Sequence, residues 1–228
     1  MKLNNASVLI LLPVFNEGTV VASVIGAIQK EGWKNILVVD DGSVDNTIEE
    51  VKKTGVALLR HKMNVGQGAS LQTGFEWAKM QNYDIVITYD SDGQFIPSDI
   101  KKLVQPILDK KAEVVFGSRF LGKTVNIPFF RKLILIVGVY VTHILSGIAL
   151  TDTHNGLRGL SKKALQVINI TQPRMAHASE IIDEVAKHKL TYIEVPVTVT
   201  YDIYSKKKGQ SNLNAISILI DVLMKKLS

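Results

Sequence analysis

Apolar runs of strand length alternate with apolar residues at helical spacing through the first half of this 228-residue chain. Ser7–Leu12 is the first run, fit for a sheet buried on both faces, and Pro13 closes it. From Glu17 to Glu31, Val20, Val21, Val24, Ile25 and Ile28 fall at helical spacing and predict a helix. Asn35–Val39 is a second buried strand, Asn46–Lys53 a helix and Val56–Leu59 a third strand. A helix over Ser70–Met80 and a fourth strand over Tyr83–Ile87 follow. Pro97-Ser98-Asp99 opens another helix that runs to Lys110, and Glu113–Gly117 is a fifth strand. Five strand–helix alternations predict an α/β fold: a mostly parallel sheet flanked by helices.

The second half breaks this rhythm. Leu133–Leu150 carries no formal charge over eighteen residues and is flanked by Arg131 and Lys132. Such a stretch reaches the lower limit for a membrane span. A crossing would, however, put Arg119 and Asp152–Arg158 on opposite sides of the membrane. Gly138, Tyr140, Thr142, His143, Ser146 and Gly147 also interrupt the apolar run. A buried core helix is an alternative; the expectation is a pair of interfacial helices within residues 128–150. Glu180–His188 reads as a helix, and Thr191–Thr200 alternates as a strand whose Pro196 confines it to an edge. Leu213, Ile216, Ile220, Leu223 and Leu227 form the stripe of a C-terminal amphipathic helix over 213–228.

The polar residues gather after the predicted strands: Pro13–Glu17, Asp40–Asp45, Asn64–Gly68, Asp90–Gln94 and Gly117–Arg119. In parallel sheets ligands bind at the carboxyl ends of the strands, so these clusters converge on one candidate site. Loops built only for turning do not need an acid or an arginine at nearly every one. Asp90 and Asp92 are two residues apart and point to one side of a strand that runs on straight. Gly93 permits a bend and Gln94 adds an amide oxygen. Alone, this cluster also describes a simple turn. As ligands, two carboxylates and an amide oxygen suit Mg²⁺ or Mn²⁺. Asp40 or Asp41 can accept from a base N–H or from ribose hydroxyls, whereas Ser43 or Asp45 suffices to cap the next helix. Gly66 and Gly68 would let an anion approach the backbone. Arg119 can hold a phosphate.

Composition narrows the classes further. With 46% hydrophobic and 21% charged residues the chain is globular. A net charge of +6 suits a polyanion, an anionic membrane surface or a phosphorylated substrate without choosing among them. The absence of cysteine excludes disulfides and thiolate metal sites. The short apolar run before Pro13 lacks a cleavage site and is too short to span, so the protein is expected to face the cytoplasm.

Together, Pro13-x-x-Asn16-Glu17, Asp40-Asp41-Gly42-Ser43-x-Asp45, Asn64-x-Gly66-x-Gly68, Asp90-x-Asp92-Gly93-Gln94, Gly117-Ser118-Arg119-Phe120 and Asp152-Thr153-x-x-Gly156-x-Arg158 resemble the family 2 glycosyltransferases of GT-A fold. The likeness is greatest to the polyprenyl-phosphate hexosyltransferases and runs from about Ser7 to Asn212. It implies inverting, metal-dependent transfer of a hexose from a UDP- or GDP-sugar to a dolichyl or undecaprenyl phosphate. It implies a domain over 1–212, with residues 1–120 for donor and metal and 121–212 for acceptor. On this resemblance Asp90, Asp92 and Gln94 hold the metal. Pro13, Val14, Asn16, Glu17, Asp40, Asp41, Gly66, Gly68, Asp90, Ser91 and Lys206 bind the nucleotide sugar. Arg119, Arg131 and Arg158 hold the acceptor phosphate, and Asp92, Asp152 and Arg119 form the catalytic set.

Two departures stand out: Asn155 precedes Gly156 where the family commonly has Ser, and Lys206 stands where it has Arg. Asp152 is the candidate acid that positions the acceptor or acts as a base, although a lipid phosphate, already ionised near neutral pH, needs little base help; Glu180 is the other candidate acid. Expected associates are the membrane surface at its cytoplasmic face, and a small transmembrane subunit or a second copy of the chain; no nucleic acid is expected. Alternatives are transfer to a saccharide or protein hydroxyl, a non-catalytic sugar-nucleotide-binding subunit, and a nucleotidyltransferase, the last weakened by the lack of a Gly-rich motif with Lys after the first strand.

Overall fold

Four strands, β1 (Val8–Val14), β2 (Ile36–Asp40), β3 (Ala57–Arg60) and β4 (Ile85–Thr88), run parallel in the order β3-β2-β1-β4. Three more, β5 (Val114–Val125), β6 (Arg158–Ser161) and β7 (Tyr192–Thr200), extend the sheet to β3-β2-β1-β4-β6-β5-β7. The structure is a computed structural model that describes residues 6–125, 127, 129–174 and 176–201; for 129–134, 141 and 145 only the backbone is described. Lys206 and the 213–228 segment lie outside the described residues.

The sequence pattern anticipates the first four strands to within a few residues; β5 starts where expected but runs on past Gly117 to Val125. It also anticipates the edge strand: β7 pairs parallel with β5, and Pro196 sits opposite Ser118. A residue without an N–H fits an edge because no further strand needs its donor. The strand that was not anticipated is β6. Its four residues, Arg158-Gly159-Leu160-Ser161, carry no apolar run, yet it inserts antiparallel between β4 and β5.

All seven residues of β1 are buried because the sheet is covered on both faces. Leu9 and Leu11 join one core cluster with Phe75, Leu160 and Ile181; Ile10 and Leu12 join the other with Val24, Ile25 and Leu103. Helices α1 (Val21–Lys30) and α4 (Ile100–Leu108) cover the second face. Helices α3 (Gln67–Met80), α6 (Lys162–Val167) and α7 (His177–Lys187) cover the first, and α2 is Thr47–Lys53. Gly74 lets α3 lie against β1, since a Cβ there would come within 2.3 Å of the Leu11 side chain.

The apolar segment after β5 forms one helix, α5 (Phe129–Ser146), rather than the expected pair. Gly138 and Thr142, one turn apart, are buried, while Ile136, Val137, Tyr140 and Ile144 are exposed. Among the described residues no helix is long and apolar enough to cross a membrane.

One buried group predicts a pH dependence. His177 at the start of α7 is 3% exposed, and its Nδ1–H donates to the Arg174 carbonyl at 2.7 Å. Burial, helped by the charge of Arg158, pushes its pKa down to about 4 from 6.5. The folded state therefore keeps this imidazole neutral while the unfolded chain protonates it, so stability falls as pH drops from 6.5 towards 4. Urea midpoints of His177→Gln should fall less steeply than wild type across that window; parallel slopes would contradict this.

Candidate active site

The β4 end carries the first half of the site. Asp90 is partly buried, and its Oδ1 accepts a hydrogen bond from Gln67 Nε2 at 2.8 Å. Its Oδ2 lies where a Cβ on Gly156 would come within 1.9 Å, so only glycine leaves room for the carboxylate. Desolvation raises the Asp90 pKa, Arg158, Gln67 and Arg119 oppose the rise, and the charge of Glu17 adds to it. Asp92 Oδ1 accepts from the Gln94 N–H at 3.0 Å, and Gly93 takes φ 78° in the bend between them. The Gln94 carbonyl is held by Thr200 N–H of β7. Ser91 Oγ donates to the Pro13 carbonyl, pinning this loop to β1. Among the described residues no three His, Asp or Glu side chains cluster as metal ligands. Two carboxylates with an amide oxygen nonetheless form a hard donor set, and a partly desolvated carboxylate favours a bound cation. The residues fit a Mg²⁺- or Mn²⁺-class ion whose remaining positions a substrate would fill.

The second half is cationic and buried. Arg119 Nε donates to Asp152 Oδ2 at 2.6 Å, its NH1 to Tyr201 Oη at 2.5 Å and its NH2 to the His154 carbonyl at 3.3 Å. Asp152 Oδ2 also accepts from Arg119 N–H and Asn155 Nδ2, while its Oδ1 is buried without a partner. Arg119 thus reaches any ligand only through its remaining terminal N–H groups. Arg158 is 2% exposed, and its Nε and NH1 have no hydrogen-bond partner. Burial lowers its pKa to about 10 against the charges of Asp90 and Asp152. It enters the site because β6 pairs it with Thr88 of β4 on one side and Phe116 of β5 on the other. Arg131 lies in the first turn of α5, where the side chain is outside the described residues.

The third part lies at the β1 and β2 ends. Asp41 Oδ1 accepts from Val65 N–H at 3.0 Å and meets His61 Nδ1 at 2.9 Å, and its Oδ2 accepts from Gly66 N–H at 2.7 Å. Asp40 differs: Oδ2 takes the Ser43 N–H and stands 3.5 Å from Arg60 Nε, but Oδ1 is buried without a partner. The Val14 carbonyl accepts from Asp41 N–H. Asn16, at φ 53°, links to Ser43 Oγ and Val44 N–H, and buried Glu17 donates its N–H to Thr47 Oγ1.

The Glycosyl transferase family 2 profile matches residues 9–168, which holds all three parts of the site. The chain belongs to glycosyltransferase family 2. It is 32% identical over 96% of its length to the UDP-N-acetylglucosamine–dolichyl-phosphate N-acetylglucosaminyltransferase of Methanococcus voltae, covering 95% of that protein. It is 28% identical over 91% of its length to the undecaprenyl-phosphate mannosyltransferase of Micrococcus luteus, covering 87%. The fold matches glucosyl-3-phosphoglycerate synthase of Mycobacterium tuberculosis, solved with Mn²⁺ and UDP-glucose, with TM-score 0.73 at 18% identity over 96% of this chain and 77% of that one. The sheet with its flanking helices is thus a GT-A-like fold, and the chain is a glycosyltransferase.

In this family 2 glycosyltransferase two glycines serve an end that spacing did not suggest. A Cβ on Gly66 would come within 2.2 Å of the Pro173 carbonyl, and one on Gly68 within 2.0 Å of the Gln172 carbonyl. The close approach they permit in the folded chain is made by its own 172–174 segment. Glu180 is committed to the same segment: it accepts from Thr171 N–H, Gln172 N–H and Thr171 Oγ1. Sequence reasoning missed Gln67 and His154. The only signal for Gln67 was its place between two motif glycines.

Two measurements follow. Gly156→Ala should displace the Asp90 carboxylate and lower sugar transfer at least a hundredfold with an unchanged circular dichroism spectrum; near wild-type turnover would show that Asp90 is free to move. Arg119→Met strands a buried carboxylate and should lower stability by about 3–5 kcal/mol in urea unfolding. Adding Asp152→Asn should recover part of that loss, whereas additive losses would show the pair to be uncoupled.

Proposed function

We propose that this glycosyltransferase moves a hexose, with inversion, from a UDP- or GDP-sugar to a polyprenyl phosphate at the cytoplasmic face of a membrane. The observation that carries the reading is the polarity of the site. Asp90 and Asp92 of the β4 loop supply carboxylates, and the buried guanidinium of Arg158 feels the charges of Asp90 and Asp152. That polarity suits a reaction between two anionic partners, a metal-bound diphosphate and a lipid phosphate. The names of the relatives supply the acceptor class, and the Mn²⁺ and UDP-glucose of the structural neighbour supply the donor class.

Asp90, Asp92 and Gln94 would hold Mg²⁺ or Mn²⁺, whose chemistry there is to neutralise charge on the departing diphosphate. Asp40, with its unpartnered oxygen, and the Pro13–Glu17 turn bind the nucleoside. Asp41 keeps the neighbouring loop in place, and Lys206 adds its charge to the donor side. Arg158, with its Nε and NH1 unpaired, and Arg131 hold the acceptor phosphate, and Arg119 adds its remaining donors. A phosphate oxygen of the acceptor forms a bond to the anomeric carbon as the bond from that carbon to the diphosphate breaks. The electron pair leaves with the nucleoside diphosphate. The acceptor arrives ionised, so no proton need be removed, and Asp152 orients Arg119. Hydroxyl acceptors would need a base, and Glu180 has its oxygens committed to Thr171 and Gln172. The exposed Ile136, Val137, Tyr140 and Ile144 of α5 lie on the membrane surface.

Incubation with UDP- and GDP-hexoses, undecaprenyl or dolichyl phosphate, and Mn²⁺ should yield a glycosylated lipid phosphate by mass spectrometry. Chelation and Asp92→Ala should each abolish it. Full turnover by Asp92→Ala, or transfer only to free saccharides, would overturn the reading.

A further inference from the structure

Gln67 has no part in the roles assigned above, yet its side chain makes a hydrogen bond to the carboxylate on which the metal reading turns. It is the first residue of α3, and the backbone around it is fixed. The Gly66 N–H is held by Asp41 Oδ2 at 2.7 Å, and the Ala69 N–H by the Pro173 carbonyl at 3.1 Å. From that anchored position Nε2 reaches Asp90 Oδ1 at 2.8 Å. The other oxygen of Asp90 lies against Gly156. The carboxylate is therefore gripped from two sides.

That grip opposes a specific alternative. Arg158 is buried, its charge acts on Asp90, and its Nε and NH1 carry no hydrogen bond. A carboxylate free to rotate beside such a guanidinium would close on it and form a charge-assisted pair. Its oxygens would then be lost to a metal ion. A neutral amide holds the carboxylate without placing a second cation beside a divalent one, which a lysine or arginine would do.

We propose that Gln67 is a positioning residue that keeps the Asp90 carboxylate off Arg158 and available to the divalent ion, an inference that rests on Asp90 being a metal ligand. The Gly66–Gln67 pair also joins two acids from strands that are not neighbours. Gly66 holds Asp41 at the end of β2, and Gln67 holds Asp90 after β4, with β1 between them in the sheet. The loop beside the nucleoside side of the site and the metal side therefore share one short clip.

The test is Mn²⁺ binding by the full chain, followed by electron paramagnetic resonance with UDP or GDP present. Wild type, Gln67→Met, Gln67→Ala and Asp90→Ala are compared, and methionine keeps the length of glutamine without its donor. Both Gln67 variants should bind Mn²⁺ about tenfold more weakly. Asp90→Ala should show no nucleotide-dependent binding. In turnover, KM for Mn²⁺ should rise by a similar factor while kcat at saturating Mn²⁺ stays within threefold, a split that a general loss of structure would not give. If Gln67→Met binds within twofold of wild type while Asp90→Ala fails, the role of Gln67 is overturned and the metal site stands. If Asp90→Ala binds as wild type, or wild type takes up no Mn²⁺ with either nucleotide, the metal reading falls and the inference with it.

Discussion

A guanidinium buried in the sheet is the constraint around which this molecule is arranged. Arg158 is 2% exposed, and an uncompensated ion at such a position costs several kcal/mol. The charges of Asp90 and Asp152 oppose the burial that lowers its pKa. Asp152 is in turn tied to Arg119, and Arg119 to Tyr201 at the end of β7. Strands β4, β5, β6 and β7 each deliver or anchor a member of this network. The charges that would bind substrate are thus also the charges that hold one another in place.

Around this centre, acids act as struts for loops. Asp41 ties down residues 65 and 66, Asp45 ties down Gly18 and Thr47, and Glu180 ties down residues 171 and 172. The 172–174 segment then sits in the space left by Gly66 and Gly68. Each strut gives a loop backbone the partner it needs. Loops fixed in this way present a formed site, as expected of a binding cleft on a rigid scaffold. In chain order, β5 carries Arg119 and precedes α5, the helix with the exposed apolar residues.

The layered α/β fold was legible because its core strands are buried on both faces. Val8–Leu12, Ile36–Val39 and Ile85–Ile87 are uniformly apolar for that reason, and the polar residues that follow them mark where a site can form. Pro196 marked the sheet edge by its missing donor. Four-residue β6 left no such trace, since its burial is enforced by neighbours rather than by its own hydrophobicity. The segment after β5 was legible as helical but not as one helix, because scattered polar residues mark either a break or the buried side of a continuous helix.

The sequence by itself determined which residue types stand at the strand ends, and hence a family 2 glycosyltransferase site with paired acids and arginines. Motif spacing is a local property and survives without coordinates. Only the tertiary structure decided how those residues divide their work. It showed Asp41 spent on backbone donors and His61, Asp40 with one oxygen buried and unpartnered, Gly66 and Gly68 accommodating the chain itself, and Gln67 gripping Asp90. Those outcomes depend on pairings between residues as far apart as Asp90 and Gly156, or Gly68 and Gln172. A pattern read along one chain does not contain the distances across it.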